Sequence, residues 1–579
     1  MSRVPIAILC VILSLSTWQT AQSAAPVPPA ARWIPQNALI AIDISNPKAL
    51  IDLAFNPQII AKVKSVPAYK QITSKPDVQQ LFGLFKFLEA SLGTDWPTAL
   101  KKSTGGGITL AACPDDISLI IIDAQDGKML ARLHKMFLNI AKDDAKKKGQ
   151  PNRVRSAVYR DVTGWTFNGK ETHALIGNRL IFANKSKGLI NMLDLRADGG
   201  AKSLYALPAY QAAKKASSTG TIASAFVNMG VLKHVPPITK VLANNQNPLA
   251  TLLFGGVTEA LQDSNWLALG LGIKGNTLSL HATVDGKTDD PNGAASFAFP
   301  DMLDKGALPN LVVPRRIAAM SIWRDLRAFY AAKDDFFPER TSALIFFENM
   351  MGIFFSGRDL TEDVLAETHP QVRIVVAEQT FAHGTPPTKL PAFAAVFQLR
   401  NPEKFALVAE EAWQKAIGLI NFTRGQQAQA GMIIRQPTHN GTTYTMAYFL
   451  PGEKDAEMQI YHNFRPSLAT IGNSLILSST DELAEDLIDS LKKQRNLPPK
   501  ALPSTNSVVE LDTTALASIL AANRDILIRN NIVEKGNTPQ KATFEIDLLL
   551  TIIQNLGRMN LSLENRHSLN YATLQWTLN

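Results

Sequence analysis

The chain has 579 residues, of which 46% are hydrophobic and 19% are charged, and its formal net charge is +9. A chain of this length is too long to fold around one hydrophobic core, so we predict about two to four domains. The composition excludes a disordered or collagen-like chain. The densest basic cluster, residues 142–155, contains no aromatic residue, so we expect no nucleic-acid partner. The cluster is typical of a solvated helix end, and a patch for acidic lipid or polymer is the alternative.

The N-terminus has the order of residues found in a secretory signal peptide. Arg3 precedes an apolar run, 6–15, and the small residues Ala21 and Ser23 follow at the spacing of a cleavage site. This order predicts a signal peptide over residues 1–23. Retention of the segment as a membrane anchor is the alternative.

The cysteine count agrees with export. Cys10 lies in the predicted signal, so the mature chain keeps Cys113 as its one thiol, and one thiol cannot form an internal disulfide. A large exported chain without disulfides is typical of the periplasm or cell surface of a bacterium. Cys113 follows the apolar strand "GITLAA", which predicts a buried and unreactive thiol.

In chain order, the first half begins with a strand and an Asx-led helix, "IPQNALIAIDISNPKALIDL" (34–53). A Phe-rich helix, "LFGLFKFLEASLG" (81–93), precedes two apolar strands, and the second strand runs through a polar turn into a long helix. The stretch "ALIGNRLIFANKSKGLINMLD" (174–194) predicts a hairpin that turns at Gly-Asn, followed by an amphipathic helix. A last hairpin turns at a second Gly-Asn pair, 275–276.

The second half repeats this order. The stretch "ATIGNSLILSSTDELAEDLID" (469–489) matches 174–194 at an offset of 295 residues, so that Gly472 falls on Gly177. Further matches in the same order pair "SLGTDWPTAL" with "FSGRDLTEDVL", "SLIIIDAQDGKMLARL" with "FAAVFQLRNPEKFALVA", and "SAFVNMGVL" with "VVELDTTAL". They predict a tandem duplication: a first domain over 24–290, a linker over 291–305 that is rich in Asp, Gly and Pro, and a second domain over 306–579.

The order of elements predicts the fold class. In each half, strands come singly and in hairpins, and helices of about 10–20 residues separate them. No regular alternation of strand and helix indicates a parallel sheet. We therefore expect an α+β protein of two tandem homologous domains, each a largely antiparallel sheet with helices packed on one face.

Three features resemble a family of exported bacterial proteins of unknown function, known from the secreted proteins of planctomycete-type bacteria. They are the Pro-containing start before a strand and an Asx-led helix (34–53 and 502–520), the Gly-x-x-Asp turn before a strand, and the "IGNxLI" hairpin before a Leu-spaced helix. The resemblance extends over most of both halves. It implies export and this fold, and it brings no catalytic residues.

The sequence contains no recognisable catalytic or metal-binding motif. There is no Gly-x-Ser-x-Gly elbow, and the phosphate-loop candidate "DGKT" (285–288) has His281 where a glycine is required. None of the nine histidines has a second His or Cys at ligand spacing. We therefore expect a protein that is not an enzyme and that uses no cofactor or metal. A hydrolase whose catalytic groups form no linear motif is the alternative.

Two apolar stretches are the candidates for a contact surface. "ALIFFENMMGIFFSG" (343–357) and "LFGLFKFLEASLG" (81–93) are apolar around more than one helical face. A helix buried between layers is one interpretation. The other is a lining for an acyl chain or a hydrophobic partner, because Phe and Met form an adaptable wall. In that case the contact residues are Phe85, Phe347, Met351 and Phe354.

These observations favour an exported protein of the bacterial envelope with a non-catalytic binding or scaffolding role. Its expected partner is an envelope protein or an apolar ligand, and peripheral contact with the membrane is compatible with the same surface. The alternatives are a periplasmic carrier of a lipid or other apolar ligand, and the hydrolase. A pocket with converging acidic or His side chains would favour the hydrolase, and an apolar tunnel beside Phe354 would favour the carrier.

Overall fold

The computed structural model describes residues 28–579 apart from 58, 59, 62, 63, 65–68, 70–72, 75, 218, 219, 236, 237, 240–246, 287–292, 301–303, 338–341, 451–458, 567 and 579. The predicted signal peptide lies outside these residues. The chain divides into two compact units. Unit 1 contains residues 28–51 and 92–211, and unit 2 contains residues 52–91 and 212–579.

The α-helices vary from single turns to long rods. They are α1 (Pro47–Ala54), α2 (Pro76–Leu92), α3 (Trp96–Thr104), α4 (Gly127–Lys147), α5 (Ser186–Ala197), α6 (Pro208–Ala216), α7 (Met229–Leu232), α8 (Pro248–Asp263), α9 (Ala295–Ala298), α10 (Leu326–Ala331), α11 (Lys333–Phe336), α12 (Ser342–Phe354), α13 (Pro402–Gln426), α14 (Asp481–Asn496), α15 (Thr513–Ala522), α16 (Arg524–Lys535) and α17 (Pro539–Leu556). In the described part of the chain, no helix combines the length and the apolar character needed to cross a membrane.

The strands are mostly five to ten residues long. They are β1 (Ile40–Ile44), β2 (Gly107–Cys113), β3 (Ile117–Asp123), β4 (Arg155–Tyr159), β5 (Val162–Thr166), β6 (Thr172–Ile176), β7 (Arg179–Ala183), β8 (Ala223–Val227), β9 (Leu267–Lys274), β10 (Thr277–Val284), β11 (Arg316–Trp323), β12 (Thr368–Ala377), β13 (Ala392–Leu399), β14 (Met432–Arg435), β15 (Thr438–His439), β16 (Thr442–Thr443), β17 (Thr445–Phe449), β18 (Ser467–Ile471), β19 (Ser474–Ser478), β20 (Thr505–Asp512), β21 (Arg558–Arg566) and β22 (Leu569–Thr577).

Local sequence signals explain where several elements begin and turn. The Asp126 carboxylate accepts hydrogen bonds from the backbone N–H groups of Lys128 and Met129 at the start of α4, as an N-cap does. The hairpins β6–β7 and β18–β19 turn at Gly177 and Gly472, whose φ angles are +58° and +56°. Glycine adopts this left-handed conformation without strain, so both predicted Gly-Asn hairpins are confirmed.

The sheet of unit 1 is antiparallel throughout. Its strand order is β4-β5-β6-β7-β3-β2-β1. Helix α5 packs against β3, β6 and β7, as the leucine spacing predicts. The buried residues Leu189 and Leu193 are on its packed side.

The sheet of unit 2 is also antiparallel. Its order is β8-β9-β10-β22-β21-β20-β11-β12-β13-β19-β18-β17-β14, and β15 and β16 form a separate hairpin. The combination of helices with antiparallel sheets confirms the predicted α+β class.

Helices cover both faces of the sheet in unit 2. Successive strand residues point to opposite faces. On β19, Ile476 packs into the cluster of α14 and its neighbour Leu475 packs into the cluster of α13. The expectation of one covered face therefore does not apply here. The reason lies in β12 and β13, whose runs "IVVA" and "AAVF" are continuously apolar, which is the pattern of a strand buried on both sides.

The same strand order occurs in both units. The series β4-β5-β6-β7-β3-β2-β1 of unit 1 corresponds to β14-β17-β18-β19-β13-β12-β11 of unit 2. This agrees with the predicted duplication, which stays a prediction. The compact units nevertheless divide the chain differently from the predicted domains, because β10 pairs along its whole length with β22, from Thr277 opposite Thr577 to Val284 opposite Asn570.

The segment predicted as a linker contains a buried apolar helix. Phe297 of α9 is 0% exposed, and its ring lies 5.0 Å from that of Phe329 and 5.5 Å from that of Phe336. Gly256 of α8 allows the close approach of α9, because a Cβ atom there would lie 2.8 Å from the Cβ atom of Ala298. The residues "AASFAF" therefore anchor the segment to the core of unit 2 instead of leaving it in solvent.

A buried arginine joins this cluster to the sheet. Arg324 follows β11, is 1% exposed, and donates to six acceptors at 2.6–3.2 Å. They are the backbone oxygens of Leu252, Leu253, Ala298, Trp323 and Asn506 and the hydroxyl of Ser507. Burial lowers the pKa of Arg324 to about 10, so it stays charged at pH 7 and ties α8, α9, β11 and β20 together.

We expect Phe297→Ala to lower the free energy of unfolding by about 3–5 kcal/mol, because the deletion leaves a cavity in a packed aromatic cluster. Phe346→Ala is the control, since Phe346 is 66% exposed and its loss should change stability by less than about 0.5 kcal/mol. Urea denaturation followed by circular dichroism measures both. Equal losses would contradict the anchoring of the segment.

Candidate functional site

The core beneath α14 changes from apolar to polar at one end. Leucines 483, 487 and 491 of α14 pack on Val375, Val396 and Ile476 of three adjacent strands. Alternate residues of a strand share a face, so Arg373, Gln398 and Ser474 also lie on this face. Arg373 stands opposite Val396, and Gln398 stands opposite Ser474 in the next row. This polar layer lies below the C-terminal turn of α14.

A cavity of about 520 Å³ opens at this layer. Its polar lining residues are His369, Gln371, Arg373, Gln398, Asn473, Ser474, Gln494 and Arg495. Its apolar lining residues are Leu308, Ile471, Leu491, Pro498 and Pro499. None of these described lining residues is acidic, so the cavity has an excess of positive charge.

Arg373 is the central group of the cavity. It is 2% exposed, and its Nη1 donates to Oε1 of Gln494 at 2.8 Å. Its Nε is buried and has no hydrogen-bond acceptor, and no carboxylate of the described residues forms an ion pair with it. Burial lowers the pKa of Arg373 to about 10, so the guanidinium remains protonated at pH 7. A buried guanidinium that has neither a counter-ion nor acceptors for all of its N–H groups is unusual and is a candidate for ligand binding.

The other polar groups complete a donor-rich wall. Gln398 donates through Nε2 to Oγ of Ser474 at 2.9 Å. Burial, and then the charge of Arg400, lower the pKa of His369 below its ordinary value, so its imidazole is neutral at pH 7. The positive charge of the cavity therefore comes from Arg373 and Arg495.

In the corresponding layer of unit 1, the buried arginine has a carboxylate partner, although its Nη1 has no acceptor. Asp123 stands opposite Arg179 in the β3–β7 pair, as Gln398 stands opposite Ser474 in the β13–β19 pair. Arg179 is 1% exposed and donates to both carboxylate oxygens of Asp123, at 2.7 and 2.8 Å, which is the strong bidentate geometry. Its guanidinium also lies 4.4 Å from the ring centroid of Trp33. The large ion pair Asp123–Arg179 of unit 1 thus corresponds to the small neutral pair Gln398–Ser474 of unit 2.

Backbone contacts support this correspondence. The N–H of Ala124 donates to the carbonyl of Asn178 at 2.9 Å, and the N–H of Leu399 donates to the carbonyl of Asn473 at 2.7 Å. Each bond joins the residue after the first member of the pair to the turn before the second member.

A second difference appears on the neighbouring strands. In unit 1, Thr109 of β2 stands opposite Asp43 of β1 and donates to its carboxylate at 3.0 Å. In unit 2, Arg373 of β12 stands opposite Ser321 of β11, which is 0% exposed and whose hydroxyl has no partner. Neither aspartate of unit 1 has an acidic counterpart in unit 2.

Two smaller cavities have their charged groups already paired. One, of about 140 Å³, lies in unit 1 beside Cys113, where Lys187 binds Asp115 at 2.8 Å. Burial raises the pKa of Cys113 to about 11, so the thiol is protonated, and its predicted burial is confirmed. The other, of about 230 Å³, lies in unit 2, where Arg465 binds Asp481 at 2.8 Å. In the described residues, no group of three or more His, Cys, Asp or Glu could hold a metal ion.

The four residues predicted as an apolar contact surface lie on two helices of unit 2. Phe85 is half-buried on α2. Phe347, Met351 and Phe354 follow the i, i+4, i+7 spacing on one side of α12; Phe347 is exposed, and the other two are half-buried. None of the four lines the cavities described above.

Other apolar residues of α12 are also exposed. Ile345, Phe346 and Ile353 form an exposed stripe, with Phe346 66% and Ile353 57% exposed, while the helix packs against α13. The interpretation of this helix as buried between layers is wrong for this face. We refer to these three residues as the α12 stripe.

Sequence reasoning did not find the Arg373 cavity, although a signal for it exists. The matched hairpins read "IGNR" in one half and "IGNS" in the other. Comparing the halves position by position shows that Arg179 becomes Ser474 and that Asp123 becomes Gln398. The simultaneous loss of a large cation and its carboxylate predicts an opened space.

A buried histidine is a further feature that the sequence did not reveal. His173 is 0% exposed and neither ring nitrogen has a hydrogen-bond partner. Its ring stacks at 4.3 Å on Phe167 and lies 5.2 Å from His134. Burial, and then the charge of His134, lower the pKa of His173 to about 4, so it is neutral at pH 7.

No protein-family model matches the chain, and no curated protein matches it. Among solved structures, crystal forms I, III and IV of TP0453 are similar at 12%, 10% and 8% sequence identity. The matches cover 45%, 45% and 44% of this chain and 79%, 81% and 79% of TP0453, each with a TM-score of 0.23. Such a TM-score carries no conclusion about fold or function. The resemblance to exported bacterial proteins of unknown function stays a prediction.

We expect Arg179→Met to lower the free energy of unfolding by about 3 kcal/mol, because it leaves the Asp123 carboxylate without its counter-ion. The double variant Asp123→Asn/Arg179→Met should recover part of this loss, since the uncompensated charge is then absent. Chemical denaturation at pH 7 measures both. A double variant less stable than Arg179→Met would contradict this explanation.

We expect stability to fall as the pH is lowered from 7 to about 4.5, because unfolded histidine, with a pKa near its ordinary value, binds a proton that folded His173 excludes. The loss is fully developed below the folded pKa of about 4 and amounts to about 3 kcal/mol. His173→Phe should flatten this dependence, with Glu171 and His134 left in place. Unfolding measured at several pH values checks it, and an unchanged slope in the variant would contradict it.

Proposed function

We propose that the protein is an exported, non-catalytic binding protein of the bacterial envelope and that the Arg373 cavity of unit 2 holds its ligand. One observation carries the proposal: the buried Nε of Arg373 has no acceptor and borders a cavity of about 520 Å³. Small-molecule sites are typically about 300–1,000 Å³, with a few placed polar groups among apolar ones. The lining of this cavity has that composition.

The chemistry of the cavity supports binding over hydrolysis. A serine nucleophile needs a base within hydrogen-bond reach, whereas Ser474 accepts a hydrogen bond from the amide of Gln398. The described lining residues offer no carboxylate to act as a base. The groups that could favour a hydrolase are in the 230 Å³ cavity, where Glu482 binds Arg315 at 2.7 Å and Glu485 accepts from the hydroxyl of Tyr444 at 2.7 Å. These carboxylates have structural partners.

The envelope part of the proposal comes from the sequence alone. Residues 1–23 have the order of a signal peptide, and the mature chain has a single cysteine, which is typical of export without disulfides. Fractionation of a bacterial host that expresses the full chain tests this part separately from ligand binding.

Native mass spectrometry of the mature chain, residues 24–579, tests the binding function. After export in a bacterial host, we expect a discrete added mass on the folded protein. Ser474→Met should remove the added mass, because the larger side chain fills the cavity at a position where unit 1 accommodates Arg179. Circular dichroism confirms that the variant remains folded.

A matched pair of substitutions on the apolar helices is the control. Phe85→Asp together with Phe354→Asp should leave the added mass unchanged, since neither residue lines the cavity. Loss of the mass in this variant, with its retention in Ser474→Met, would favour the carrier of an apolar ligand. A protein that carries no added mass at all would contradict the binding function of the cavity.

A further inference from the structure

We infer that the ligand of the Arg373 cavity is a small organic anion, a carboxylate or a phosphate ester, whose charged group binds Arg373 and Arg495. This inference rests on the proposed binding function and adds the chemical class of the ligand. It follows from the charge of the polar layer, from the comparison between the two units, and from the presence of apolar as well as polar residues in the cavity wall.

The first argument is the uncompensated charge. Taking a guanidinium out of water carries a large desolvation penalty, which only an opposite charge or a full set of acceptors offsets. Arg324 meets this requirement with six acceptors, and Arg179 meets it with a bidentate carboxylate. Arg373 has one acceptor, the amide oxygen of Gln494, and a buried Nε that has none. A carboxylate or phosphate oxyanion in the cavity would supply the missing acceptors.

The second argument is the exchange of residues between the units. Four positions of the layer carry two carboxylates and one guanidinium in unit 1, and one guanidinium without a carboxylate in unit 2. In unit 1 they are Asp43, Thr109, Asp123 and Arg179; in unit 2 they are Ser321, Arg373, Gln398 and Ser474. Unit 1 thus contains its own anion at this level. In unit 2 the anion has to come from outside the chain.

The third argument is the wall of the cavity. The lining includes the amide groups of Gln371, Gln398 and Asn473, which can donate to an oxyanion. It also includes the apolar residues Leu308, Ile471, Leu491, Pro498 and Pro499. A free inorganic anion would leave this apolar surface unfilled, whereas an organic anion covers it and removes it from water. The ligand therefore has an apolar part as well as a charge.

The test uses octanoate as the probe, octanamide as its neutral counterpart and inorganic phosphate as an anion without an apolar part. The mature chain is titrated by calorimetry in a phosphate-free buffer at pH 7, with ionic strength held constant by sodium chloride. We expect octanoate to bind about tenfold or more tightly than octanamide, because a charge-assisted hydrogen bond is replaced by a neutral one. We expect inorganic phosphate to bind more weakly than octanoate.

Three variants, followed by thermal midpoint and by affinity for octanoate, distinguish a ligand-binding arginine from a purely structural one. Arg373→Met removes the unpaired charge, so we expect its thermal midpoint to lie above that of the wild type without ligand and to stay unchanged when octanoate is added. Gln398→Glu places a carboxylate in the cavity without changing its volume. It should raise the midpoint without ligand and lower the affinity for octanoate about tenfold or more, since the site then contains its own anion. The exposed Arg495→Gln should weaken binding less than Arg373→Met.

The outcomes separate this inference from the proposed function. Equal affinity for octanamide and octanoate, abolished by Ser474→Met, would overturn the anionic class and leave the binding function intact. Inorganic phosphate binding as tightly as octanoate would overturn the organic part. An Arg373→Met variant that is less stable than the wild type with and without octanoate would make the arginine structural and overturn the inference. Absence of binding by every probe, together with an apo mass in the native spectrum, would overturn the binding function itself.

Discussion

A guanidinium that leaves water has to find acceptors for its N–H groups, and this requirement organises the structure at three places. Arg324 uses backbone oxygens and thereby holds α8, α9, β11 and β20 in one arrangement. Arg179 uses a carboxylate and closes the polar layer of unit 1. Arg373 is equally buried, and the described residues complete neither solution for it. The need for acceptors is therefore met within the fold for Arg324 and Arg179. For Arg373 we propose that a ligand meets it.

The contrast between Arg179 and Arg373 shows how similar frameworks can serve different purposes. The strands on which they lie have the same order, and their hairpins turn at equivalent glycines. Among the differences between them are a few side chains of the polar layer, which lie beside an apolar core in both units. One unit uses these positions for its own stability, and we propose that the other uses them for binding. Under the predicted duplication, the two uses would have a common origin.

The sequence predicted the parts of the fold that depend on local or periodic patterns. Gly177 and Gly472 identified two hairpins, because their turns require positive φ, and the leucine spacing identified the helices that follow. It did not predict the burial of Ala294, Phe297, Ala298 and Phe299, because the Asp, Gly and Pro residues around "AASFAF" indicated a linker and the partner surface on α8 is distant in sequence. It also missed the open face of α12, since an apolar helix does not reveal from its own residues which side the rest of the chain covers.

No linear sequence motif could identify the candidate site, and the reason is physical. Arg373, Gln398 and Ser474 come from three strands, and each stands alone in its own stretch of sequence. Only the pairing of β12, β13 and β19 brings them to one cavity, with Gln398 opposite Ser474 and Arg373 opposite Val396 in the adjacent row. The replacement of Asp123 by Gln398 predicts no site by itself. The register shows in addition that the arginine of the layer is on β7 in unit 1 and on β12 in unit 2.

The pairing of β10 with β22 has a consequence for the order in which the chain can be assembled. The partners are far apart in sequence, with 300 residues between Thr277 and Thr577. This edge of β10 therefore stays unpaired until β22 has been synthesised. Unpaired edges are prone to join other chains, and pairings this distant form slowly. During that interval β10 is open to pairing with a strand of another chain, and removal of residues 570–579 would leave this edge of β10 permanently unpaired.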